Sequence, residues 1–231
     1  LHQPNIFLAI STFQFKHLDQ YGNYYRRGEL NIADRISQVL SVRPTFVEFL
    51  TWNDGGESTY IGNVWPEAIS GSAISTYTDG FNHSGWQNII APFIAARKSF
   101  STDPTDVVPL NGAEATGAFW YRTILTTASI TGDPLGLPSG SENAEDVVNV
   151  AVLLSASAVG AVVNVYSGGA LIGSQTGTQG LNSWEFSGLQ VGSVAVDVIS
   201  TSGATLLSAT GPQAVAAEAA IANYNYQVVG L

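Results

Sequence analysis

Two short apolar runs, residues 6–12 (IFLAIST) and 46–52 (FVEFLTW), are rich in β-branched and aromatic side chains and end in turn residues, so each predicts a buried strand. Between them Leu30, Ala33, Ile36, Val39 and Leu40 recur at helical spacing, Asn31 stands where a cap belongs, and Pro44 forbids continuation, which predicts a helix over 30–42. Residues 13–28, with Tyr21, Tyr24 and Tyr25, read as an aromatic and polar loop. The order strand, loop, helix, strand is a βαβ unit. A long loop follows over 53–82, and a second helix begins at His83 or Ser84 and runs to about Phe100, with Pro92 predicting a kink or a late start.

From about Asp106 the pattern changes to short alternating runs separated by turn residues: 118–125, 147–154, 161–166, 170–174, 183–186, 193–199, 204–209 and 221–229. Gly168-Gly169 marks a hairpin, and residues 213–222 read as a loop entering the last strand. Strands at this spacing predict an antiparallel sandwich. The fold class is therefore α/β plus all-β, with one part over 1–105 and the other over 106–231.

Charge sharpens that division. All eight basic residues lie in the first 122 of 231 positions, while residues 123–231 carry seven acids and no base. Arg122, the last cation, is expected to pair across the junction of the two parts. A charged fraction of 11% and a net charge of −10 argue against a nucleic-acid partner, which needs clustered cations, and favour neutral or cationic ones. There is no cysteine and hence no disulfide framework; three scattered histidines have no metal-ligand spacing, and no cofactor is implied. No apolar run reaches membrane-spanning length. The chain starts at Leu1 rather than Met, as expected at a processing boundary or partway through a longer product, and Asn82-His83-Ser84 is a glycosylation sequon suited to secretion.

The candidate chemistry lies just past the run 46–52, where Asp54 and Glu57 are three apart around Gly55-Gly56. A residue after the carboxyl end of a strand is held rigidly while its loop exposes it, which is where α/β folds place active sites. The glycines suit a turn needing backbone angles closed to other residues. The residues alone leave two readings open, a carboxylate pair for acid and base work or a glycine turn whose acids face water. Trp52, Trp65, Tyr60 and Tyr77 read either as stacking platforms for sugar rings or as core and loop anchors, and His83 as a packing residue at the helix start or a ligand contact. Glu48, inside the apolar run, calls for a partner if buried.

The segment VEFLTWND-GGES, followed by Tyr60-Ile61-Gly62 and then Gly80-Phe81-Asn82-His83-Ser84-Gly85-Trp86, closely resembles the fungal α-1,3-glucanases called mutanases, glycoside hydrolase family 71. Residues 6–17 resemble that family's penultimate barrel segment, Phe119-Trp120-Tyr121-Arg122 the start of its β-sandwich, and residues 223–230 its C-terminus. The resemblance implies a secreted, wall-associated enzyme that hydrolyses α-1,3-glucan with inversion. It implies that 1–105 is the C-terminal part of a (β/α)8 barrel, completed by an N-terminal part of the same enzyme and inactive without it, and that 106–231 is a β-sandwich accessory domain. The family's two acids map onto Asp54 and Glu57, with Glu57 taken as general acid and Asp54 as general base, or the reverse. Trp52, Asn53, Tyr60, Trp65, Tyr77 and His83 become substrate contacts, and Asn82 a glycosylation site. Gly55 stands where the family commonly has Tyr, Thr59 where it has His, and Asn82 where an acid is common. The competing class is a non-catalytic, lectin-like glucan-binding or structural wall protein.

Overall fold

The computed structural model describes residues 6–62 and 64–231. Strand β1 (Phe7–Ser11) leads into a hairpin of β2 (Gln14–His17) and β3 (Asn23–Arg26), then helix α1 (Asn31–Val42) and strand β4 (Phe46–Leu50). β4 lies parallel to β1, with Phe7 opposite Phe46 and Ser11 opposite Leu50, so β1, α1 and β4 form the expected βαβ unit. Helix α1 buries Ile32, Ala33, Ile36, Val39 and Leu40 as their spacing requires, and it ends at Arg43 in a left-handed conformation (φ 56°) just before Pro44. Leu30, not Asn31, is its N-cap; the Asn31 amide instead donates to the Ser11 carbonyl and ties the helix start to the end of β1.

Three other expectations are corrected in this part. The loop 13–28 contains the β2–β3 hairpin. Strand β4 is not buried on both faces: Phe46, Glu48 and Leu50 are exposed, whereas Val47 and Phe49 face helix α4. The loop after β4 carries two single-turn helices, α2 (Pro66–Ile69) and α3 (Ser75–Thr78). A 3-10 turn at Ser84–Trp86 then opens α4 (Gln87–Lys98), and the helix does not wait for Pro92, which lies inside it.

The second part supplies β5 (Ala115–Arg122), β6 (Ile124–Ile130), β7 (Val147–Leu154), β8 (Val162–Ser167), β9 (Ala170–Thr176), β10 (Gly180–Ser187), β11 (Val194–Ile199), β12 (Thr205–Thr210), β13 (Ala216–Ala219) and β14 (Tyr226–Gly230). Two antiparallel sheets result, in the orders β10-β7-β5-β14 and β12-β11-β8-β9, while β13 pairs with β6. Gly168 and Gly169 turn β8 into β9 at φ 59° and 83°, values open to glycine. The run 118–125 is broken at Thr123, the loop 213–222 holds β13, and of 221–229 only the end is strand.

Strand β7 (VVNVAVLL) is buried at all eight positions because its sheet is covered on both faces. Val148, Val150 and Val152 pack with Val163, Val165, Val196 and Val198 of the second sheet. On the other face Ala151 and Leu153 join Trp120, Tyr226 and Val228 in a core shared with Phe13, Phe15, Ile36, Trp86 and Phe93. One apolar core thus crosses positions 105 and 106. Arg122 does not pair across that junction: its guanidinium donates to Asp146 at 2.9 Å and lies 5.1 Å from the Tyr224 ring centre, both within the second part.

Candidate active site

The βαβ unit brings the carboxyl ends of β1 and β4 side by side. Beyond β4 the chain forms a narrow loop closed by Thr51 N–H to Thr59 C=O and Ile61 N–H to Thr51 C=O, each 3.0 Å. Inside it Asp54 N–H donates to Thr51 Oγ1 at 3.0 Å, and Asp54 Oδ1 accepts the backbone N–H of Glu57 at 3.1 Å. The buried Tyr77 hydroxyl donates to the Gly56 carbonyl at 2.9 Å, fixing the turn from below. Gly55 and Gly56 do not take the left-handed angles expected of them; Ser58 does, at φ 58° and fully buried. A Cβ at Gly55 would sit 3.1 Å from Val64 Cγ1, a tight contact that a shift of a few tenths of an ångström in that side chain relieves.

Asp54 and Glu57 open into one cleft of 380 Å³, whose other walls include Gln14, Arg26, Arg27 and Thr59. The hairpin makes the facing wall. Phe15 N–H donates to the Glu57 carbonyl at 3.0 Å, and Gln14 Nε2 lies 2.8 Å from Glu57 Oε2. Burial, and then the Glu57 carboxylate beside it, push the Tyr24 phenol up to about 12, so it stays protonated as a donor. The Arg26 guanidinium lies 5.5 Å from the Tyr24 ring centre, and Arg27 pairs with Glu29 at 3.0 Å and with Glu145 of the second part at 2.8 Å. The three tyrosines of 21–25 therefore separate: Tyr21 is exposed, Tyr24 faces the acids, and Tyr25 is in the core. Gln14, Arg26 and Arg27 were not singled out from the sequence.

The other expected contacts divide in the same way. Asn53 is exposed beside the acids. Trp52 is 57% exposed, yet its indole lies flat on the backbone of Gly62, where a Cβ would come within 2.4 Å of ring atom Cε2. Trp65, 59% exposed, lines a different depression of 520 Å³ with Glu67, Asp79 and Asn82. Tyr60, Tyr77 and His83 are corrected: all three lie in the interior and present no surface to a sugar. His83 stacks on Tyr60 at 3.9 Å, its ring nitrogens are each 3.0 Å from the carbonyls of Tyr60 and Tyr226, and burial pushes the imidazole down to about 4. Asn225 donates to the Tyr77 carbonyl at 2.8 Å, so the C-terminal segment is what holds these rings.

Among the described residues no three of His, Asp and Glu are placed to hold a metal ion. Two part-exposed carboxylates in a cleft open to water can do proton-transfer chemistry on their own. The profile of Glycosyl hydrolase family 71 matches residues 2–231. The chain belongs to that family. It is similar to "Glucan endo-1,3-alpha-glucosidase agn1" of Schizosaccharomyces pombe, 34% identical over 89% of this chain and 45% of that protein. "Mutanase Pc12g07500" of Penicillium rubens is 36% identical over 52% of this chain and 26% of its own length. "Ascus wall endo-1,3-alpha-glucanase" of Schizosaccharomyces pombe is 31% identical over 50% and 27%. The chain spans less than half the length of each of these relatives. No described helix is long and apolar enough to cross a membrane.

Proposed function

We propose that this chain carries the catalytic acid pair of an enzyme that hydrolyses α-1,3-glucan with inversion at the anomeric carbon. The observation that carries the reading is the convergence of Asp54 and Glu57 in one cleft of a family 71 chain. Glu57 protonates the glycosidic oxygen while Asp54 removes a proton from the attacking water, a reaction that needs roughly 6.5–9.5 Å between the carboxyl groups when substrate is bound. Trp52 offers a flat ring for a sugar face, Asn53 a polar contact beside it, and Trp65 a second ring farther out.

Residues 1–105 are the closing units of a (β/α)8 barrel, and an N-terminal part of the same enzyme covers the exposed apolar face of Phe7, Phe46 and Leu50. Residues 106–231 are a β-sandwich accessory domain, a reading supported by two antiparallel sheets on one shared core. The enzyme acts outside the cell or in the wall. Asn82 carries a glycan: its side-chain oxygen accepts the Ser84 N–H at 2.8 Å, and its exposed amide nitrogen is left to react.

The test is the anomeric configuration of newly released reducing ends, followed by NMR in the complete enzyme. Inversion of an α linkage yields the β anomer first. An α anomer first would refute inversion, and no release would refute hydrolysis.

A further inference from the structure

We propose that Gln14 is a positioning residue of Glu57, fixing carboxylate oxygen Oε2 so that the carboxyl is aimed into the cleft. The inference rests on the acid-pair reading above and deepens it. Strand β2 grips the acid turn twice, through Phe15 N–H to the Glu57 carbonyl and Gln14 Nε2 to Glu57 Oε2 at 2.8 Å, although 43 positions separate the two side chains in sequence. Gln14 pairs with Arg26 and Lys16 with Tyr24, so these four side chains share the hairpin face opposite Phe15 and Tyr25. Those last two are buried, Phe15 edge-on to Tyr77 at 5.5 Å, which anchors the hairpin to the same core that supports the acid turn. Asp54 is held differently, its Oδ1 taking the backbone N–H of Glu57. Glu57 thus has side-chain donors, Gln14 and beside it the Tyr24 phenol, and a substitution of Gln14 removes the first without touching the backbone.

An N–H donated to a carboxylate favours its charged form, and the bond is stronger than one between neutral groups. Removing it withdraws that preference for the charged form, so the limb of the pH profile that Glu57 sets moves upward. The other titratable groups around Glu57 are Tyr24 and Arg26 from β3, Arg27 just beyond it, Asp54 from its own turn and Tyr77 from α3, and none is altered by the change.

The experiment measures kcat/KM against pH on an α-1,3-linked oligosaccharide in the complete enzyme, with Gln14→Leu, Gln14→Glu and Glu57→Gln alongside and melting curves for each. Gln14→Leu is expected to lose about tenfold in kcat and to move the alkaline limb up; Gln14→Glu, which puts a like charge beside Glu57, moves the same limb farther. Movement of the acidic limb instead supports the positioning role and exchanges the roles of Asp54 and Glu57. Limbs unmoved in both variants, with a change only in rate or melting temperature, overturn the proposal. Full turnover by Glu57→Gln would overturn the acid-pair reading itself, whatever Gln14 does.

Discussion

Gly62→Ala tests whether Trp52 is a held platform or a loose surface ring. The backbone at Gly62 is not left-handed, so alanine meets no conformational penalty and the effect is steric alone. The added Cβ would lie 2.4, 2.6 and 2.7 Å from Trp52 Cε2, Cδ2 and Cζ2. Carbon atoms rest at about 3.5–4.0 Å, so the indole must retreat by about 1 Å or more. With 57% of its surface exposed it has room to swing outward, which keeps the stability cost near the low end of overpacking, about 1 kcal/mol. Loss of an ordered ring face is worth about 0.5–1.5 kcal/mol, or roughly a two- to thirteenfold rise in KM for glucan, with kcat nearly unchanged. Steady-state kinetics of the complete enzyme with Gly62→Ala and Trp52→Ala reads the effect, and Leu171→Ala, an exposed position on β9, is the control. An unchanged KM in both Gly62→Ala and Trp52→Ala would show that Trp52 is not a platform.

Asp133→Asn tests the contact between the hairpin and the second part. Burial would raise the Asp133 carboxyl, but the N–H groups of Ala222 and Leu135 and the adjacent His17 outweigh it and hold it below the usual range. A carboxyl lowered by folding stabilises above its unfolded value, near pH 4, and loses that contribution as pH falls through the folded value. The variant is therefore expected to cost about 2–3 kcal/mol at pH 7 and progressively less in acid, and a gap in melting temperature that stays constant into acid would refute the coupling. His83→Ala, which removes a buried ring, is expected to cost about 3 kcal/mol by denaturant unfolding and to leave KM unchanged. A raised KM with unaltered stability would return His83 to the sugar.

Helix α1 was legible from its apolar spacing and strand β7 from its apolar run, because each reports burial directly. The cause of β7's burial was not, since an unbroken apolar run does not say which segment covers its second face, and here that cover comes from Phe13, Phe15 and Trp86. The β2–β3 hairpin was missed although Gln14-Phe15-Lys16-His17 and Asn23-Tyr24-Tyr25-Arg26 alternate with period two around Gly22; their polar and aromatic mixture reads as a loop. With it went Gln14, Arg26 and Arg27. Asp54 and Glu57 line a common cleft, where their spacing after a strand left a glycine turn facing water equally open. Tyr60, Tyr77 and His83 were misplaced because a ring with a polar group near two acids looks like a ligand contact. The carbonyl that receives His83 Nε2 lies 143 positions away, and no local pattern announces it.

The central claim is that Asp54 and Glu57 perform the hydrolysis. Its most direct measurement is reducing-end release from α-1,3-glucan by the complete enzyme carrying Asp54→Asn or Glu57→Gln, each matched to wild type for folded fraction. Loss of either proton-transfer group is expected to lower kcat by about 10²–10⁴-fold. Turnover at the wild-type rate in either variant would contradict the account.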